Sequence, residues 1–283
     1  MSLTTKETDT VCCFDLRTNH IIYYKKTDDK NGTKDGITEF TGHLEVLPRK
    51  PNQAEENENV FVCGASGSGK TYLLRTYASN YKRLYPNNKI FMITQSKEDK
   101  LPENCRVFTS KMRDSSRTYA EFLDLQYINA YEYFKDKEEE GHNIDITRDY
   151  NNCLIIFDDF IYFTGKNKKE TATIKENIIN MILQILNLGR KISVSCLITS
   201  HLLYDRKYND LFQNIYSEIN KFCFSPDSIN FRQLSYILKV YFGFIGNELR
   251  RVKRFDENTH MVVYNKKPTF LLSENKLELL KFD

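Results

Sequence analysis

The sequence predicts an α/β fold, a mainly parallel sheet sandwiched by helices, and three observations carry that reading. From residue 59 onward short apolar runs alternate with helical patterns, the arrangement that crossover-connected parallel sheets require. Residues 153–157 are a continuous apolar run, as expected of a strand covered on both faces. A glycine-rich loop, Gly64-Ala65-Ser66-Gly67-Ser68-Gly69-Lys70-Thr71, stands between an apolar strand and a helical pattern.

Taken in order, residues 1–58 read as an N-terminal β-rich extension. Short β-like runs at 11–16 and 20–24 are broken by a turn-rich stretch at 28–36. The acidic stretch 52–58 reads as a linker or a solvated approach to the first core strand. An expected core domain occupies residues 59–226. A strand at 60–63 enters the loop, and the helix after it carries Tyr72, Leu73, Leu74, Tyr77 and Tyr81 before Pro86 ends it. Strands are expected at 89–94 and 106–109. A helix is expected over 116–140, through Tyr119, Phe122, Leu123, Leu125, Ile128, Tyr131 and Phe134. After the strand at 153–157, Thr173 and Glu176 read as a capping box. The helix it opens carries Ile174, Ile178, Met181, Ile182, Ile185 and Leu186, and Gly189 is its stop. Strands at 192–199 and 221–224 complete the core. Residues 227–283 form a C-terminal extension packed on it: a helix at 229–242, a basic stretch at 249–254, and a hairpin through 261–264 and 269–272.

The loop pattern fixes a chemistry. Gly64, Gly67 and Gly69 are expected to reach positive φ and let the backbone approach an anion closely. Lys70 would reach the β- and γ-phosphates of ATP or GTP, and the Thr71 hydroxyl would ligate Mg²⁺. The residues from Gly64 to Tyr72 are therefore the candidate nucleotide contacts. The run ending Phe157-Asp158-Asp159 supplies the second half of such a site. Asp158 would hold Mg²⁺, and Asp159 would orient or deprotonate the attacking water. Asp159 could equally be a turn residue at a strand end. Ser200 and His201 close the run at 192–199, and His201 is a candidate γ-phosphate sensor or a strand-end residue with no catalytic part.

Bulk properties add exclusions. No apolar run is long enough to span a bilayer, and the N-terminus lacks a signal-peptide core, so the chain is not expected to be secreted. Seven cysteines with no C-x-x-C pair suggest buried thiols and neither a disulfide frame nor a zinc site. A net charge of +3 implies no nucleic-acid binding by itself.

Three segments, 64–71, 154–159 and 187–201, together resemble the poxvirus-type genome-packaging ATPases of large DNA viruses and virophages, members of the FtsK–HerA superfamily. The likeness runs from about residue 60 to 224. It implies a RecA/FtsK-like P-loop NTPase fold and a Mg²⁺-ATP-driven motor threading double-stranded DNA into a preformed capsid. It further implies a ring of identical subunits, a pentamer or hexamer, a capsid vertex protein as partner, and a place in the host cytoplasm, the virus factory or the virion. Where the family usually shows Gly-Arg-His this chain has Gly189-Arg190-Lys191, and His201 stands where the superfamily commonly places a Gln. An arginine supplied in trans is implied as well, with Arg190 the first candidate and Arg206 the second. Arg250, Arg251, Lys253 and Arg254 are candidate DNA phosphate contacts, and loops near Lys166–Lys169 are the alternative path. The competing readings are a helicase or transposition-type ATPase of the same superfamily, and a small-molecule kinase.

Overall fold

A computed structural model describes residues 2–7, 10–25, 37–49, 57–95, 123, 125–139, 144–255, 261–266 and 269–280. Among the described residues five strands precede the one that enters the loop: β1 (Ser2–Thr4), β2 (Thr10–Asp15), β3 (His20–Lys25), β4 (Ile37–Glu39) and β5 (Leu44–Val46). Strand β6 (Asn59–Cys63) leads through the loop into α1 (Lys70–Leu84). Then come β7 (Lys89–Thr94), β8 (Leu125–Asn129), α2 (Ala130–Glu139), α3 (Ile146–Asp149), β9 (Cys153–Phe157) and α4 (Lys168–Leu188). Strand β10 (Val194–Ser200), α5 (Asn209–Glu218), β11 (Lys221–Phe224), α6 (Phe231–Phe242) and α7 (Gly246–Phe255) follow. The described chain ends in β12 (Val262–Lys266), β13 (Thr269–Leu272) and β14 (Lys276–Leu279).

Ten strands form one sheet in the order β4-β14-β13-β12-β11-β6-β10-β9-β7-β8. The block from β11 to β8 is parallel throughout, and β12, β13, β14 and β4 extend it antiparallel. The remaining four strands make a small antiparallel sheet of order β1-β3-β2-β5.

Side-chain alternation assigns each face of the main sheet its own core. Phe61, Ile155, Phe157 and Phe222 point to one face and pack with Phe134 of α2, Ile178 and Met181 of α4, Phe212 of α5 and Leu238 of α6. Val60, Val62, Leu154 and Ile156 point to the other, against Leu74, Tyr77 and Tyr81 of α1 and Cys13, Ile22 and Leu44 of the small sheet. Burying each such aliphatic or aromatic side chain stabilises by about 1.5–3 kcal/mol. The six described cysteines are buried and free.

Three expectations need correction, while the helix stop expected at Gly189 holds. Residues 125–129 are a strand because they pair along β7 from Ile90↔Leu125 to Thr94↔Asn129; ladder pairing overrides their helical spacing, and the helix begins at Ala130. Residues 116–122 and the strand expected at 106–109 lie outside the described residues, as does the turn-rich stretch 28–36. Helix α4 starts a turn and more before the Thr173–Glu176 box, because Asn167 caps it by accepting from the Glu170 N–H at 3.0 Å. Gly189 ends that helix in a right-handed conformation; Ser193, at φ 53°, is the left-handed residue of the turn. Finally, Glu58 is 1% exposed. Its carboxylate pairs with the buried Lys221 ammonium and accepts from Tyr77 Oη at 2.7 Å, so it anchors the start of β6 within the core.

Candidate nucleotide site

The loop between β6 and α1 carries Gly67 at φ 79° and Gly69 at φ 94°, conformations that L side chains rarely adopt. Gly64 is not in that region. A Cβ there would meet Ser68 Oγ and stand 3.1 Å from the Cβ atoms of Ser68 and Ser225, so close approach, and not positive φ, favours glycine. The Ala65 N–H donates to Ser228 Oγ at 3.0 Å, which ties the outer limb of the loop to the turn after β11. Ser66 is exposed at the tip and Ser68 is half-buried.

Lys70 opens α1 and is 7% exposed. Its ammonium donates to the carbonyls of Gly64 at 2.8 Å and Ala65 at 3.0 Å, and lies 3.1 Å from His201 Nδ1. An ammonium has three protons, and all three are engaged. Desolvation lowers its pKa, opposed by the nearby carboxylates.

Strand order brings the acids to this lysine. Strand β10 lies between β6 and β9, so its C-terminal residues stand between the loop and the Asp pair. The Gly64 N–H donates to the Ser200 carbonyl at 3.2 Å. His201 Nε2 is 2.9 Å from Asp159 Oδ2. Because Lys70 can only donate, Nδ1 is the accepting nitrogen and Nε2–H donates to Asp159; the hydrogen-bond network assigns this tautomer. Tyr162 packs edge-on against the imidazole, with centroids 5.3 Å apart.

Asp159 sits at φ 50°, a left-handed conformation that turns it off the end of β9. Its N–H donates to Thr199 Oγ at 2.8 Å, and the Thr199 hydroxyl donates in turn to Asp158 Oδ1 at 2.8 Å. Sequence reading missed Thr199 as a site residue; the available signal was its place at the end of the strand between the two halves of the site. Burial raises the pKa of Asp158, opposed first by the Thr199 hydrogen bond. Asp159 Oδ1 is buried with no hydrogen-bond partner among the described residues.

These groups suit Mg²⁺. Hard oxygen donors are what that ion takes, usually one or two carboxylates completed by waters and substrate phosphates. Asp158 and the exposed Thr71 hydroxyl at the first turn of α1 are the residues that would hold it, beside the unpartnered Asp159 oxygen.

Other expected residues lie further out. The Tyr72 side chain turns to His43, with Oη 3.3 Å from Nε2. Arg190 is exposed at the turn before β10, the opposite end of that seven-residue strand and roughly 20 Å from its site end. Arg206 is exposed in the segment just after His201, on the site side. In α7, Arg250 is exposed, whereas Arg251 Nε lies 3.8 Å from the buried Glu278. The side chains of Lys253 and Arg254 lie outside the described set. Lys166 stands over the Tyr131 ring at 5.5 Å, and Lys168 and Lys169 are exposed at the start of α4. No described helix is long and apolar enough to cross a membrane.

The strand order, the loop and the acid pair at the neighbouring strand end decide the class. The fold is that of a P-loop NTPase. No family profile matches the chain. Uncharacterized protein V3 of Sputnik virophage is 25% identical over 224 residues, 79% of this chain and 77% of that protein. The chromosomal replication initiator protein DnaA of Rippkaea orientalis is 26% identical over 150 residues, but the match spans 31% of that protein. Among solved structures, the DNA-packaging ATPase of Sulfolobus turreted icosahedral virus is 14% identical with a TM-score of 0.45, covering 78% of this chain and 98% of that one.

Proposed function

We propose that this P-loop NTPase hydrolyses ATP with Mg²⁺ to drive double-stranded viral DNA into a preformed capsid, working as a ring of five or six identical subunits. The observation that carries the catalytic part is the chain of contacts from Lys70 through His201 to Asp159 across three neighbouring strands. A phosphate-binding lysine and a carboxylate that would act on water are thereby linked by one imidazole.

In this reading the backbone from Gly64 to Tyr72 and the start of α1 cradle the phosphates. Lys70 exchanges its loop carbonyls for the β- and γ-phosphate oxygens. Asp158 and Thr71 hold the metal, and Thr199 fixes the Asp158 carboxylate. Asp159 orients the attacking water and takes its proton, while His201 reports the γ-phosphate to it. Of the two arginines considered for action in trans, Arg206 stands at the nucleotide end of the sheet, and the role falls to it before Arg190. DNA phosphates would be met by Arg250 and its basic neighbours on α7, or by Lys168 and Lys169. The chemistry resides in residues 59–226, with 1–58 and 227–283 as extensions, and a capsid vertex protein is the expected docking partner in the virus factory or virion. The virophage relative supports the viral reading.

The test is steady-state ATP turnover with blunt duplex DNA, alongside a strand-separation assay. Stimulation without unwinding supports packaging. Unwinding would favour a helicase, and phosphoryl transfer to a small acceptor would favour a kinase.

A further inference from the structure

A cavity of about 300 Å³ opens beside Gly67 and Gly69, at the lower end of the volumes of small-molecule sites, roughly 300–1,000 Å³. In the sheet order it lies on the flank of β6 away from the acids: β10 and β9 stand on one side, while β11, β12 and β13 stand on the other. Its walls are mostly apolar, with Val46, Tyr72, Leu73, Met261, Val263 and Leu272 contributing. Five polar side chains interrupt them: His43 and Glu274, which are less buried, and Glu45, Thr76 and Ser273, which are 3%, 4% and 4% exposed. Glu45 Oε1, Thr76 Oγ1 and Ser273 Oγ are buried with no hydrogen-bond partner among the described residues. Asn80 Nδ2 donates to the other carboxylate oxygen of Glu45 at 3.1 Å and to the Val46 carbonyl at 3.0 Å, so the carboxylate is held in place with one oxygen left over.

Buried polar atoms are normally paired, and three orphans lining one apolar cavity call for a ligand that pairs them. We propose that the cavity takes the adenine base of the nucleotide, its exocyclic amine donating to Glu45 Oε1 and its ring nitrogens accepting from Thr76 and Ser273. This rests on the phosphate-loop reading and adds the base specificity to it. A nucleotide laid over the strand ends, with its phosphates at β6 and its γ-phosphate toward β9, extends its base toward β12, where the cavity lies. The 6-amino group of adenine satisfies Glu45, whereas guanine carries its amine at C2 and a carbonyl oxygen at C6. A hypoxanthine base places a carbonyl oxygen against the same carboxylate and leaves it unpaired.

The test is equilibrium binding of ATP, GTP, ITP and inorganic tripolyphosphate to the full chain. ATP is expected to bind at least about 10-fold more tightly than ITP or GTP, because a site built to hydrogen-bond a polar group rejects analogues lacking it. Thr76→Met, which pushes a longer apolar side chain into the cavity and removes one of its donors, is expected to reduce ATP affinity toward that of tripolyphosphate while leaving tripolyphosphate binding as in the parent. Equal binding of ATP and ITP by the parent, a comparison needing no variant, would overturn the assignment. So would parental ATP affinity in a folded Thr76→Met protein. If tripolyphosphate does not bind and Lys70→Ala leaves ATP affinity unaltered, the phosphate-loop reading fails, and this one with it.

Discussion

His201 Nε2 donates to Asp159 Oδ2 at 2.9 Å, and this contact joins the residue proposed to act on water to a ring whose other nitrogen receives Lys70. Any movement of the lysine toward a phosphate therefore removes a partner from the imidazole that holds Asp159. His201→Ala is expected to lower ATP turnover about 10²-fold, the scale seen when one positioned polar group is removed from a transition-state site, with nucleotide affinity little changed. His201→Gln should recover much of the loss, since an amide can both accept from Lys70 and donate to Asp159. Parallel kcat and binding measurements check both. Equal loss in the two variants would mean the ring acts through its shape alone.

Thr199 is the bridge between the two acids. Thr199→Val keeps the shape but deprives the Asp158 carboxylate of a donor and the Asp159 N–H of an acceptor. Leaving buried polar groups unpaired costs about 1–3 kcal/mol, which chemical denaturation should detect. Turnover should fall by more than stability does, with higher Mg²⁺ needed for half-maximal rate.

How much of this was legible in the sequence follows from how local each signal is. The loop and the Asp158–Asp159 run were readable because strand, turn chemistry and polar residues are contiguous. Strands β7, β9 and β11 were readable because each is short, apolar and bounded by turn residues. Strand β8 was not, since Leu125 and Ile128 carry helical spacing in line with Tyr131 of the following helix, and only the pairing with β7 makes the segment a strand. Glu58 looked solvated among acidic neighbours because its partner Lys221 is 163 residues away. Thr199 and the cavity residues Glu45 and Ser273 are equally non-local, and the chain offers no short motif for them.

The Glu58–Lys221 pair yields a stability test. Both groups are buried, and Arg49 Nε adds a contact to the same carboxylate at 3.7 Å. Glu58→Ala leaves an uncompensated buried ammonium and is expected to destabilise by roughly 3–5 kcal/mol. Replacing both partners by Met should recover most of that loss, because the second change removes the orphaned charge. Urea unfolding of the two variants separates the outcomes.

Glu45 yields a pH test. Desolvation raises its pKa in the folded state, opposed first by the Asn80 hydrogen bond. A carboxyl whose folded pKa exceeds its unfolded value contributes stability below the unfolded pKa, and loses it as pH rises through the folded pKa. Glu45→Gln removes that ionisation. It is expected to raise the melting temperature at neutral pH, with the gain shrinking as pH falls through the carboxylate range. A gain independent of pH would assign the effect to packing.

The most direct measurement of the central claim compares Mg²⁺-ATP binding and ATP turnover of the parent and Asp159→Asn chains, each with and without blunt duplex DNA. The parent is expected to hydrolyse ATP and to do so faster with duplex. Asp159→Asn is expected to bind Mg²⁺-ATP like the parent, since Asp158, Thr71 and Lys70 remain, while its turnover drops by roughly 10²–10⁴-fold. Parental turnover in Asp159→Asn, or a parent rate indifferent to duplex DNA, would contradict the account.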